Sequence, residues 1–167
     1  MHRAGEVICY VGSGVCRIRE IAPMETAGQT RDYYVMNPVY KPSSTLYVPT
    51  DNPALQARMV PLLKKEEIDR ILKSAKEADA PWDRDFRRRS EKARQALLST
   101  ERLDLLLLMK SIYLHKKELT GAGKALHTTD DIMLRDAENL IFQEVAYVLQ
   151  IEPDEAAARV RKKLLGE

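Results

Sequence analysis

Cysteine is nearly missing from this chain: Cys9 and Cys16 are the only two among 167 residues. No second cysteine pair and no nearby histidine joins them, so they lack the four-ligand spacing of a zinc site. Nothing requires a disulfide-stapled scaffold, and we read both as reduced core residues. Because they flank the Gly12-Ser13-Gly14 turn, a cross-strand disulfide stays open to them. Long apolar runs are missing too. The greasiest, "LDLLLLMKSIYL" (103–114), is shorter and more interrupted than the ~20 apolar residues of a membrane span. The amino terminus "MHRAGEVICY" holds no apolar signal core, so a soluble cytoplasmic protein is expected. A strong charge excess is also lacking: the formal net charge is +2, and any basic surface must be local. Tryptophan occurs once, at Trp82.

What is present divides at a change of periodicity. Up to about residue 60 the chain alternates apolar and polar residues, carries most of the tyrosines and is punctuated by Gly, Pro and Asn, which is strand patterning. "EVICYV" runs through the Gly12-Ser13-Gly14 turn into "VCRIREIA" and predicts a hairpin, since glycine supplies the positive φ of a tight turn. "RDYYVMN" and "STLYVP" predict two further strands, each closed by proline-containing turn residues. From Leu63 the period becomes 3.6. In "KKEEIDRILKSAKEA", Ile68, Ile71, Leu72 and Ala75 form one apolar stripe. Asp83 is expected to cap a second helix reaching about Leu98. A third follows Ser99 or Thr100 and stops at "TGAG", with Gly121 as its C-cap. A fourth opens at Thr128, where Thr128 and Asp131 have capping-box spacing, and runs through Leu149. Pro153 starts a fifth. The expected fold class is α+β: a small β-barrel over 1–62, then an all-α domain of about five helices over 63–167.

The segment "PWDRDFRRRSEK" (81–92) stands apart. A helix beginning near Arg84 places Phe86, Ser90, Ala93 and Leu97 on one side and Arg84, Arg87 and Arg88 on the other. A basic stripe at a helix amino end opposes the macrodipole, which favours acids there; Asp83 and Asp85 answer only part of it. It is either a solvated face or a phosphate-seeking one. Trp82 has two readings as well. With Asp83 as the cap, its staple partner would be Arg87, which is not apolar. An indole poorly supplied with a local partner beside arginines suits insertion against a base step, with the arginines on phosphates. The other reading is packing between the two halves of the chain.

The segments "GEVICYVGSGVCRIREI", "DYYVM", "LYVPTDN", "PWDRDFRRRSEK" and "KSIYLHKKELTGAGKALHTTDDIMLRDAENLIFQEVA" resemble, in this order, the CarD/CdnL family of bacterial transcription regulators that bind RNA polymerase. The resemblance covers nearly the whole chain. It implies a Tudor-like amino-terminal barrel that binds the polymerase β subunit, and a helical domain lying on promoter DNA at the upstream edge of the melted region, modulating open-complex stability. It also implies that Trp82 is the family's wedge at the fork, with Arg84 and Arg87 at its basic positions and Arg88 beside them. Two positions that are basic in some relatives, at the polymerase contact, are Met24 and Tyr47 here. That contact is expected at Met24 and along Leu46, Tyr47, Val48 and Pro49, where an exposed strand edge can pair through backbone groups whatever its side chains. Asp85 stands where the family often has a second basic residue, and softens the basic face. The implied partners are the polymerase β subunit and promoter DNA, for a monomeric, non-enzymatic protein without cofactor or metal.

Other classes compete. A Tudor-like interaction module without DNA contact could use Tyr33, Tyr34, Tyr40 and Tyr47 as an aromatic cage for a methylated cation. Tyr33 and Tyr34 are adjacent on a strand, so at most one of them can join. As an enzyme, the chain offers "TGAGK" (120–124), which lacks phosphate-loop spacing and sits between predicted helices. His115 and His127 have no ligand or nucleophile beside them in the sequence and are expected to be solvated or helix-end histidines.

Overall fold

A computed structural model describes all residues, 1–167. The chain forms two compact units, Met1–Leu62 and Leu63–Glu167. The first holds β1 (Val7–Tyr10), β2 (Gly14–Thr26), β3 (Gln29–Pro38), β4 (Leu46–Pro49), a one-turn helix α1 (Pro53–Gln56) and β5 (Met59–Val60). All strand pairs are antiparallel, in the order β4-β3-β2-β1-β5. The mixed α+β class expected from the sequence is therefore present. The sheet, however, is open. Its two edges are β4, with four residues, and β5, with two, and these do not pair with each other, so the expected closed barrel is not formed.

The register assigns each side chain to a face, because directly paired residues share one. Ile8 pairs with Cys16, and Cys9 with Val15. Cys9 and Cys16 therefore lie on opposite faces, both buried and neither in a disulfide, which removes the cross-strand bridge. The core face carries Ile8, Tyr10, Cys16, Ile18, Tyr34, Met36, Val48 and Met59, flanked by Leu46 and Leu55. A bulge between Ile18 and Glu20 shifts the phase of β2, so that Ile21 pairs with Tyr34 and Met24 with Arg31. The β2–β3 hairpin is longer than the sequence signals suggested. It runs through "PMET" to a two-residue turn, Ala27-Gly28, whose φ values are 52° and 75°. Two successive positive φ values match the twist of a hairpin. Alanine is a poor occupant of that conformation, which is why no turn signal showed there.

The second unit holds α2 (Lys65–Glu77), α3 (Phe86–Leu97), α4 (Arg102–Gly121), α5 (Thr128–Leu149) and α6 (Pro153–Leu165). Its buried residues follow the 3.6 period, with Ile68, Leu72 and Ala75 on α2, Leu106 and Met109 on α4, Ile141 and Val145 on α5, and Val160 and Leu164 on α6. Three helix ends differ from expectation. Asp85, not Asp83, caps α3 by accepting from the Arg88 backbone N–H. His127, not Thr128, caps α5, its Nδ1 accepting from the Thr129 N–H at 3.2 Å. Gly121 is the last helical residue of α4, and Gly123 takes the positive φ of 71°.

Two buried carboxylates on α5 organise this bundle. Asp130 receives Arg89 of α3 through two hydrogen bonds of 2.8 and 3.0 Å. Glu144 receives Arg102 of α4 at 2.8 and 3.0 Å and also accepts the Leu63 backbone N–H. Both pairs are bidentate, the geometry in which arginine and carboxylate interact most strongly. Lys110 of α4 donates to the carbonyls of Ala75, Lys76 and Ala78 and so satisfies the carboxyl end of α2.

Candidate functional site

In the second unit, the segment between α2 and α3 carries the tryptophan. Trp82 is half-buried and stacks on His115 of α4, with ring centres 3.8 Å apart and an interplanar angle of 11°. The Arg89 guanidinium lies over the indole, 4.4 Å from its centre. That guanidinium is itself fixed, by Asp130 and by the Asp83 carbonyl at 2.9 Å. The Ser111 hydroxyl donates to the Pro81 carbonyl and ties down the residue before the indole. Trp82 thus has partners in space although none beside it in the sequence. They come from α4 and α3, and no adjacent residue in the sequence signals them. His115 is correspondingly no solvated histidine; it underlies the indole.

The four arginines following Trp82 have different tasks. Arg88 is held by Asp83 through bonds of 2.5 and 2.9 Å, and Lys92 reaches the same carboxylate at 3.3 Å. Arg88's hydrogen bonds, first among the causes, hold the Asp83 carboxyl far below the usual carboxylate range, and the Asp85 backbone N–H adds to them. Arg88, expected at the DNA contact, is in this chain held by Asp83 while its side chain stays largely exposed. Arg89 is spent on Asp130. Arg84 and Arg87 are exposed and make no hydrogen bond or ion pair. The cations here without a partner inside the chain are therefore the two at the second and fifth positions after Trp82.

Phe86 departs from its assignment to an inward stripe. It is 45% exposed, whereas Ala93 on the same stripe is buried. With the cap at Asp85, Phe86 becomes the first helical residue of α3.

In the first unit, the residues expected at a protein contact divide by face. Leu46 and Val48 point into the core and are open to a partner only through their backbone. Tyr47 pairs with Val35, Pro49 with Tyr33 and Met24 with Arg31, which puts Met24, Tyr47 and Pro49 together on the opposite face. Tyr47 is 51% exposed. Met24 lies within β2. Since β4 pairs only with β3, its other edge carries unpaired backbone groups. Tyr34 is buried, with its hydroxyl near the His2 backbone N–H, and is unavailable to an aromatic cage.

Residues 3–71 match the CarD-like/TRCF RID domain family. This domain family binds the RNA polymerase β subunit. The match spans the sheet and the first half of α2 and ends before Trp82. No curated protein matches the chain. No helix is long and apolar enough to cross a membrane.

Proposed function

We propose that this protein is a cytoplasmic, monomeric and non-enzymatic transcription regulator of the CarD/CdnL type. Its Tudor-like first unit binds the polymerase β subunit, and its helical unit touches promoter DNA at the upstream edge of the transcription bubble. The observation that carries the polymerase half is the match of residues 3–71 to the CarD-like/TRCF RID domain. The free edge of β4 supports backbone pairing with a partner strand, with Met24, Tyr47 and Pro49 on the adjoining face. The DNA half rests on a half-buried indole flanked by two unpaired arginines, Arg84 and Arg87, which would sit on phosphates while Trp82 contacts the fork. With a net charge of +2, the protein binds free duplex weakly, and the polymerase delivers the tryptophan to its place.

The test is the lifetime of open complexes formed by the cognate holoenzyme on a fluorescent promoter, with no added protein, wild type or Trp82→Ala. The expected result is a lifetime changed by the wild type and restored by Trp82→Ala, while that variant still co-purifies with polymerase. Tight binding of isolated protein to duplex DNA, without association with polymerase, would refute the proposal.

A further inference from the structure

Arg89 touches two aromatic rings. Its guanidinium carbon is 4.4 Å from the centre of Trp82 and 5.3 Å from that of Phe86. Its hydrogen-bonding capacity is directed elsewhere: Nε and one terminal nitrogen go to Asp130, and the other goes to the Asp83 carbonyl. Arg89 is thus a fixed bracket between two rings and not a ligand for phosphate. Its distances put the two ring centres less than about 10 Å apart, the span of three base steps of about 3.4 Å each.

The outer ring is the notable one. Phe86 meets the His127 ring at 5.2 Å in a tilted contact, yet it remains 45% exposed. Isolated surface apolar residues are common and need no explanation. This one is different in being fixed beside Trp82 by a shared guanidinium, with the unpaired Arg84 two residues before it and the unpaired Arg87 immediately after. A ring held in place between two free cations is the arrangement that a flexible, charged strand recognises, with bases stacking on rings and phosphates on arginines.

We propose that Phe86 is a second aromatic contact of the nucleic-acid surface, stacking on an unpaired nucleobase within three steps of the one met by Trp82. The proposal rests on the reading of Trp82 as a contact at the fork. In the unbound protein Phe86 stays exposed because its partner is the melted strand.

The experiment is the same open-complex lifetime assay with wild type, Trp82→Ala, Phe86→Ala, Phe86→Leu and Phe86→Tyr. Co-purification with polymerase and a thermal melt accompany each variant. The expected result is that Phe86→Tyr keeps the wild-type effect, while Phe86→Ala and Phe86→Leu each reduce it by about fivefold or more. All three are expected to keep the wild-type melting temperature and polymerase binding. If Phe86→Ala keeps the full effect while Trp82→Ala loses it, Phe86 is no contact and the reading of Trp82 survives. If Phe86→Leu restores what Phe86→Ala loses, the ring acts through packing, and the proposal is overturned. If neither the wild type nor Trp82→Ala alters the lifetime, the reading of Trp82 fails and the proposal fails with it.

Discussion

Removing the carboxylate of Asp130 tests whether the helical unit is built around its buried ion pairs. The Asp130 side chain is 3% exposed and that of Arg89 14%, and two hydrogen bonds join them. Asp130→Ala leaves a guanidinium in a desolvated place with only the Asp83 carbonyl as an acceptor. Truncating one member of a buried pair destabilises by about 3–5 kcal/mol, mostly because the other charge is left uncompensated. For a unit of this size the loss corresponds to a fall of at least about 10 °C in melting temperature. Trp82 is the only tryptophan and contacts Arg89, so its fluorescence in a urea titration reports this unit directly. The surface pair Arg94–Glu91, with side chains 65% and 54% exposed, is the control; Glu91→Ala costs less than about 1 kcal/mol. Replacing both partners, Arg89→Met with Asp130→Leu, recovers much of the loss, because an apolar pair strands no charge. A loss below about 1 kcal/mol for Asp130→Ala would refute the reasoning. It would mean that water reaches Arg89 as soon as its partner leaves.

Three smaller outcomes are expected. Ala27→Gly relieves a φ of 52° in the β2–β3 turn; it raises the stability of the first unit by about 1 kcal/mol in a denaturant titration. The Cys16 thiol, pushed up to about 11 by burial, stays unmodified by a thiol reagent at pH 8 in the native protein and reacts after unfolding in urea. The Asp83 carboxyl is depressed by Arg88, so the contribution of that contact is present above the ordinary carboxylate value of about 3.9. It declines progressively as the pH falls below that value, where the unfolded carboxyl protonates first, and is gone once the pH passes the lowered one. NMR titration of the Asp83 carboxyl carbon should therefore show no midpoint near 3.9, and a midpoint there would show that the contact does not form in solution.

Periodicity carried most of the fold. The alternating segments became β1 to β4, and the stripe Ile68, Ile71, Leu72 and Ala75 became the inner face of α2, with Ile71 only half-buried. What was not legible has physical causes. β5 is two residues long, and so short a run has no alternation to detect. The β2–β3 extension turns through an alanine, a residue that carries no positive-φ signal. Asp83 satisfies the sequence rules for a cap, but Arg88 and Lys92 occupy its carboxylate, and the neighbouring Asp85 caps the helix instead. Closure of the sheet depends on edge strands meeting in space, which local patterning does not encode.

The candidate nucleic-acid site was legible in its composition and not in its arrangement. The Trp82 segment was conspicuous because one indole preceded a row of arginines, but composition treats those arginines as equivalent. The fold separates them by the carboxylates it brings near: Asp83 takes Arg88, Asp130 takes Arg89, and none reaches Arg84 or Arg87. The same separation makes Arg89, which the sequence did not single out, a support for two aromatic rings. A basic run of this kind is therefore a mixture of structural and available charges. Exchanging Arg88 for alanine should weaken the folding of its own segment, through Asp83, whereas exchanging Arg84 or Arg87 should leave folding intact and affect only what the surface binds. A melting curve for each single alanine variant, set beside its effect on open-complex lifetime, separates the two kinds. If Arg84→Ala melts well below Arg88→Ala, the division drawn from the carboxylates is wrong.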